Sequence, residues 1–141
     1  MLVETSNTFT EEELIRALGI AFSREDAKTL LINDYEGDLW YTINKSASVH
    51  CTGFCFLASE VFYRAFGGAK NWWFKKIESP DLPYTGVHWF LENKSTGMIV
   101  DITAAQFNVP IPYALGKKKG IRFFSKNGRK LLALAQGIIN E

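Results

Sequence analysis

The sequence contains little cysteine and little histidine, which limits the chemistry that it can support. Its 141 residues include two cysteines, Cys51 and Cys55, and two histidines, His50 and His88. Two cysteines only four residues apart are too few and too close for the disulfide framework of a small secreted protein. A zinc site built from these four residues is an alternative, but the distant His88 leaves no second close pair of ligands. We therefore expect reduced thiols, no metal and no cofactor.

The sequence also lacks a long apolar run and an excess of charge of one sign. No stretch reaches the roughly 18 apolar residues that span a bilayer, and the first residues show neither the basic nor the apolar part of a secretory signal. The 16 basic and 15 acidic residues give a formal net charge of +1, which argues against a dominant polyanionic partner. We expect a cytoplasmic protein that does not bind a membrane.

Apolar residues, by contrast, are plentiful. Hydrophobic residues make up 47% of the chain and aromatic residues 14%, so there is enough apolar surface to offset the conformational entropy that folding removes. The length of 141 residues is typical of one compact domain. We therefore expect residues 1–141 to form a single domain.

Capping residues and periodicity predict the secondary structure. Thr10 and Glu13 fit a capping box in front of a helix over about 11–19. Ser23 fits the cap of a second helix that ends near Asn33, and we interpret 34–49 as a loop with room for a short extended piece. The other predicted elements are helices over about 53–66 and 128–139 and strands over about 71–77, 87–92, 98–102 and 121–124.

The predicted order of these elements indicates the fold class. The polar connection over 93–97 contains a glycine and joins two β-rich runs, which is a hairpin signal. Antiparallel pairing of these runs would bring His88 near the level of Asp101. Helices followed by strands and a closing helix favour an α+β domain with an antiparallel sheet.

Cys55 lies in the first turn of the predicted central helix, where a thiol can become reactive. The N-terminus of a helix lowers the pKa of a thiol through its free amides and its dipole. His88 is the preferred base, because Asp101 on the neighbouring strand can orient its ring. The pattern predicts Cys55 as nucleophile, His88 as general base and then acid, and Asp101 as the orienting carboxylate. Purely structural roles for all three residues are the alternative that spacing leaves open.

Four motifs narrow this choice: Gly53-Phe54-Cys55, Phe66-Gly67-Gly68, His88-Trp89 and Asp101-Ile102-Thr103-Ala104-Ala105-Gln106-Phe107. Over this part of the chain the sequence resembles the YunG-like proteins, a family of small proteins with a papain-like fold, and related phage-encoded proteins. The resemblance implies a papain-like core of the NlpC/P60 type, with N-terminal helices, a central Cys-bearing helix on an antiparallel sheet and a C-terminal helix. It also implies Cys55, His88 and Asp101 as catalytic residues, and so selects Cys55 over Cys51.

The chain departs from this pattern at one position. Family members often have Gln directly before the Cys, where this chain has Phe54. Papain-type enzymes also use an upstream Gln side chain to stabilise the oxyanion, and the sequence shows no equivalent. The donors that we consider are the backbone amide of Cys55 together with Ser48, His50 or Thr52.

The segment from Lys117 to Lys130 is basic. It carries seven basic residues and no acidic residue: Lys117, Lys118, Lys119, Arg122, Lys126, Arg129 and Lys130. Such a patch can bind nucleic acid or an acidic protein surface, although a solvated face balanced by the acidic N-terminal half is the simpler interpretation.

Together, these patterns predict a cysteine-dependent hydrolase or acyltransferase of peptidase or amidase type, with a protein or peptide as substrate. The alternative is a catalytically inactive member of the fold that binds a host or structural protein, or less readily nucleic acid, through its basic C-terminal face. Lys117, Lys118, Lys119 and Arg122 would form that face.

Overall fold

The computed structural model describes residues 8–141 of the chain. This part contains five α-helices and a four-stranded antiparallel sheet. In chain order these elements are α1 (Glu11–Ala21), α2 (Glu25–Lys28), α3 (Leu39–Ser46), α4 (Cys55–Ala65), β1 (Trp72–Glu78), β2 (Val87–Asn93), β3 (Ile99–Val100), β4 (Lys117–Lys118) and α5 (Lys126–Ile139). The predicted α+β class is confirmed. Residues 1–7, which the predictions of a single domain and of no secretory signal include, lie outside the described part.

The sheet has the strand order β3-β2-β1-β4. β1 and β2 pair along their whole lengths, from Trp72 opposite Asn93 to Glu78 opposite Val87. β2 and β3 form the predicted hairpin, with Leu91 opposite Val100. Asp101 comes directly after β3, so the hairpin determines the position of the Asp101 backbone.

Helix α4 is the central helix of the fold, as its apolar stripe predicts. Nine of its 11 residues are buried, and it contacts α1, α5, β1 and β2. Burial of each large apolar side chain contributes about 1.5–3 kcal/mol, so the position of this helix is strongly determined. The residue at its start, Cys55, is therefore held by the core. In residues 8–141, no helix is both long and apolar enough to cross a membrane.

Two predictions for the N-terminal third are wrong. The Ser23 hydroxyl donates to the carbonyl of Ile20 at 2.8 Å, so it caps the end of α1 and is not the N-cap of the second helix. That second helix is the short α2, followed by a 3-10 turn over Thr29–Leu31. The segment interpreted as a loop contains α3. A short helix such as α3 is stabilised mainly by tertiary packing, here of half-buried Trp40 and Tyr41 against the core.

Two predictions for the C-terminal third also need correction. Residues 121–124 form no strand, and the side chain of Phe123 is 78% exposed. The last strand is instead β4, at the start of the basic segment, where Lys117 pairs with Lys76 of β1. Helix α5 begins two residues earlier than predicted, because the Ser125 hydroxyl accepts from the amide of Gly128 at 3.0 Å. Strand β4 is held by backbone pairing, which requires no periodic pattern of side chains. The sequence therefore contains no signal for this strand.

Candidate active site

His88 and Asp101 form a buried hydrogen-bonded pair beside β2. The Nε2–H of His88 donates to Oδ2 of Asp101 at 2.7 Å. The side chain of His88 is fully buried, and that of Asp101 is 5% exposed. The β2–β3 hairpin thus brings into contact the two residues that the sequence places on neighbouring strands.

The pKa of His88 is raised to about 9. Burial alone lowers this pKa, but the hydrogen bond to Asp101 and the interaction with the Cys55 thiol outweigh burial. His88 is therefore an imidazolium at neutral pH. Its Nε2 is bonded to Asp101, so the buried Nδ1 is the ring nitrogen that remains for exchange of a proton with Cys55 or a substrate.

Cys55 is the first residue of α4 and the member of the predicted triad that opens into a cavity. This cleft has a volume of about 670 Å³, and Trp40, Gly53 and Trp89 lie around it with Cys55. The first amides of a helix have no acceptors within the helix, and the side chain of Phe54 does not cap them. This end of α4 therefore favours negative charge at the position of the Cys55 sulfur.

Cys51 lies in a different environment. Its thiol donates to the carbonyl oxygen of Thr103 at 3.7 Å, and it is not among the residues that line the cleft. Burial raises the pKa of Cys51 to about 11. The geometry therefore favours Cys55 as the reactive thiol, in agreement with the choice made from the sequence.

The cleft around Cys55 is mainly apolar. Its large apolar side chains come from four parts of the chain and are Leu30, Leu31, Ile32, Tyr35, Trp40, Phe56, Leu57, Val87 and Trp89. Asp34 and Glu36 lie in one lining segment, and Lys76 and Lys126 lie in two others. A pocket of this composition and volume suits an apolar ligand group with a few polar contacts.

Two site residues were given no role from the sequence. The hydroxyl of Tyr113 donates to the same Asp101 oxygen at 2.8 Å, and burial, followed by this hydrogen bond, raises the pKa of Tyr113. The ring of Phe107 meets the ring of His88 edge-on, with 4.8 Å between centroids. Phe107 belongs to a motif of the resemblance, whereas Tyr113 follows an irregular Pro-containing segment that gives no signal.

The side chains considered as oxyanion donors are not placed for that role. Ser48, His50 and Thr52 are all absent from the lining of the cleft. The Thr52 hydroxyl donates to the carbonyl of Val49 at 2.8 Å. Phe54 stacks on Phe22 in the core, with 4.5 Å between ring centroids, so it neither contributes to the cleft nor blocks it. Of the donors proposed from the sequence, the backbone amide of Cys55 is the one that the structure leaves in place.

The residues of the zinc alternative do not share one site. Nδ1 of His50 lies 3.2 Å from Nζ of Lys28, while the Cys51 thiol faces Thr103. Within residues 8–141, no group of three or more His, Cys, Asp or Glu side chains is placed to hold a metal ion.

No family model matches the chain, and comparisons with curated proteins and with solved structures found no match. The chemistry of the cleft must therefore be inferred from the residues around Cys55.

Proposed function

We propose that this protein is a cysteine-dependent hydrolase or acyltransferase of peptidase or amidase type, in which Cys55, His88 and Asp101 act together. One observation carries the proposal: Cys55 lines a cleft, and the buried ring of His88, whose Nε2–H donates to Asp101 at 2.7 Å, has a pKa that both Asp101 and Cys55 raise. A neighbouring imidazolium favours the thiolate, which is the reactive form of a cysteine, whereas a buried structural cysteine is inert.

The reaction begins with the thiolate of Cys55 and the imidazolium of His88. The sulfur attacks the substrate carbonyl carbon, a C–S bond forms, and the carbonyl oxygen becomes an oxyanion. The backbone amide of Cys55, in the first turn of α4, donates to that oxygen. As the C–N bond breaks, His88 donates its Nδ1 proton to the leaving amine, which leaves a thioester on Cys55.

The second half of the reaction reverses these roles. Water attacks the thioester in hydrolysis, or an amine attacks it in acyl transfer. Neutral His88 accepts the proton of the attacking group, the C–S bond breaks, and the thiolate–imidazolium pair is restored. Asp101 stabilises the imidazolium whenever His88 is protonated, and it keeps Nε2–H directed at its carboxylate throughout.

The lining of the cleft supports a peptide or isopeptide as substrate. Trp40, Phe56 and Trp89 provide large apolar surfaces beside Cys55, and such surfaces recognise side chains better than small polar acyl groups. We propose that an apolar side chain next to the reacting carbonyl binds there.

The proposed core is papain-like, as the resemblance to YunG-like proteins implies. A Cys-bearing helix beside an antiparallel sheet that carries His88 and Asp101 is consistent with it. The departure at position 54 does not weaken the proposal, because Phe54 is fully buried in the core and lies outside the cleft.

The alternative function is a binding module without catalysis. Lys117, Lys118, Lys119 and Arg122 are exposed, and Nζ of Lys118 lies 3.7 Å from the ring centroid of Trp73. This basic face is available to an acidic protein surface. The reactivity of Cys55 decides between the two functions, because a binding module needs no activated thiol.

Alkylation by iodoacetamide at pH 7 tests the proposal. We expect selective labelling of Cys55 in the wild-type protein, located by peptide mass spectrometry. His88→Ala should lower the labelling rate by about 10²-fold or more, since it removes the proton-transfer partner of the thiol. The matched control is His50→Ala, which removes the other histidine and should leave the rate close to that of the wild type.

A second experiment identifies the acyl chemistry. Incubation with a panel of short peptide esters and amides should give a thioester adduct on Cys55 that Cys55→Ala cannot form. A Cys55 that reacts no faster than a free, unactivated thiol, with or without His88, contradicts the enzymatic proposal and favours the binding module.

A further inference from the structure

The peptide bond between Thr52 and Gly53, two residues before Cys55, is held by side chains on both sides. Its carbonyl oxygen accepts from Nδ2 of Asn44 at 2.7 Å, and its N–H donates to Oε1 of Gln106 at 3.2 Å. Both polar groups of this peptide are thus bonded to side chains and neither relies on another backbone group. The orientation of this peptide is therefore determined by Asn44, eight residues before Thr52, and by Gln106, 53 residues after Gly53.

Gln106 connects this loop to the segment that carries Asp101. It lies in a 3-10 turn over Ala104–Gln106, a few residues after Asp101, and its side chain is buried. While its Oε1 accepts from Gly53, its Nε2 donates to Oγ1 of Thr103 at 2.9 Å. One side chain thus links the loop that leads to the nucleophile with the turn that follows the orienting carboxylate.

Asn44 of α3 holds the loop from the opposite side. Its Nδ2 donates to the carbonyls of His50, at 2.9 Å, and Thr52. Its Oδ1 accepts from Nζ of Lys28 at 2.8 Å. Both donors and the acceptor of this buried amide are used, and neither a carboxylate nor an apolar side chain of similar size reproduces that set.

The backbone at Gly53 explains why the loop has to be held. Its φ of +90° lies in the left-handed region, and a Cβ there would come within 3.2 Å of the Trp40 ring. A glycine has many alternative conformations, so hydrogen bonds must select this one. The selected conformation determines where α4 starts and where the Cys55 sulfur lies relative to His88.

We propose that Gln106 and Asn44 are positioning residues that act through the Thr52–Gly53 peptide to hold Cys55 against His88, an inference that rests on the function proposed above. Neither residue lines the cleft, so neither touches the substrate. We call the hydrogen bonds of Gln106 and Asn44 to this peptide the clamp. Such a clamp matters because displacing a catalytic group by about 1 Å can lower the reaction rate on the order of 10²-fold.

Gln106→Met tests the clamp, because Met keeps the volume of Gln and removes both hydrogen bonds. We expect the iodoacetamide labelling rate of Cys55 at pH 7 to fall about tenfold and its pH profile to move to higher pH, because the imidazolium no longer faces the thiol. Asn71→Ala is the matched control. It removes the amide hydrogen bond to the Phe66 carbonyl, just beyond the other end of α4, and should leave the profile unchanged.

A measurement on the wild-type protein covers the case in which Gln106→Met does not fold. The Gly53 amide should exchange slowly with deuterium by NMR, although it lies outside any helix or strand, because its N–H is bonded to a buried acceptor. Fast exchange at Gly53 overturns the proposal. A folded Gln106→Met variant that keeps the wild-type pH profile also overturns the proposal, provided that labelling of the wild-type protein depends on His88. Loss of that His88 dependence in the wild type would instead overturn the proposed function and this inference with it.

Discussion

The two cysteines are four residues apart, and the structure gives them opposite environments. Cys51 is enclosed before α4, with its thiol directed at the carbonyl oxygen of Thr103. Cys55 begins α4, lines the cleft and interacts with the raised-pKa ring of His88. The side chains are identical, but Cys55 is the first residue of α4 and Cys51 lies four residues before it.

The difference shows that burial and the group opposite the sulfur together determine the reactivity, with burial as the main cause of the raised pKa of Cys51. A carbonyl oxygen presents negative charge, so it accepts from a thiol and disfavours the thiolate. An imidazolium presents positive charge and favours the thiolate. Both partners, Thr103 and His88, come from outside the loop and helix that carry the cysteines, so only tertiary structure separates one thiol from the other.

The largest expected effect is the difference in labelling between the two thiols. With a pKa of about 11, Cys51 has roughly one part in ten thousand as thiolate at pH 7. We expect iodoacetamide to modify Cys55 about 100-fold faster or more at this pH, with Cys51 catching up only as the pH approaches 11. Mass spectrometry of Cys51→Ala and Cys55→Ala measures each rate separately. Comparable labelling rates for the two thiols at pH 7 would contradict the proposed difference between their environments.

The sequence predicts those parts of the fold that depend on local patterns. The apolar stripe of α4, the capping box of α1 and the β2–β3 hairpin are all confirmed within a few residues. The contact between His88 and Asp101 could be predicted for the same reason, because antiparallel pairing of the hairpin brings the two residues near the same level.

The remaining features depend on contacts that are distant in sequence. Gly53 and Gln106 are 53 residues apart, and Tyr113 reaches Asp101 from an irregular segment. Helix α3 is stabilised by packing, and β4 by backbone pairing with β1. None of these contacts imposes a residue pattern on its own segment, so a single sequence contains no signal for them.

The second prediction concerns the positive charge that distinguishes the environment of Cys55. Asp101→Asn removes the carboxylate that raises the pKa of His88, while burial, which lowers that pKa, remains. We therefore expect the His88 titration midpoint to fall from about 9 to near or below the ordinary 6.5. NMR of the His Cε1–H signal measures it, and His50→Ala assigns the second signal. A midpoint that stays near 9 would show that Asp101 is not the cause.

This shift also links the stability of the fold to pH. The pKa of His88 is higher in the folded protein than its ordinary value of 6.5, so its contribution to stability is complete below pH 6.5 and is lost as the pH rises through about 9. Asp101→Asn removes that contribution. The difference in free energy of unfolding between the wild type and this variant should therefore be largest at pH 6.5 or below and smaller at pH 9, as urea denaturation at the two pH values can measure.

The smallest expected effect comes from the glycine that separates the two thiol environments. Gly53→Ala places a Cβ at φ +90°, which costs about 1–3 kcal/mol in backbone strain, and this Cβ approaches the Trp40 ring at 3.2 Å. Gly97→Ala is the matched control, because its φ of +73° carries similar strain but no atom lies within 4 Å of the new Cβ. Both variants should lose stability in urea denaturation, and Gly53→Ala should lose more. Only Gly53→Ala should also slow the labelling of Cys55, since it turns the peptide that Gln106 and Asn44 hold. Equal labelling rates in the two variants would mean that the position of Cys55 depends on the core packing of α4 and not on the loop before it.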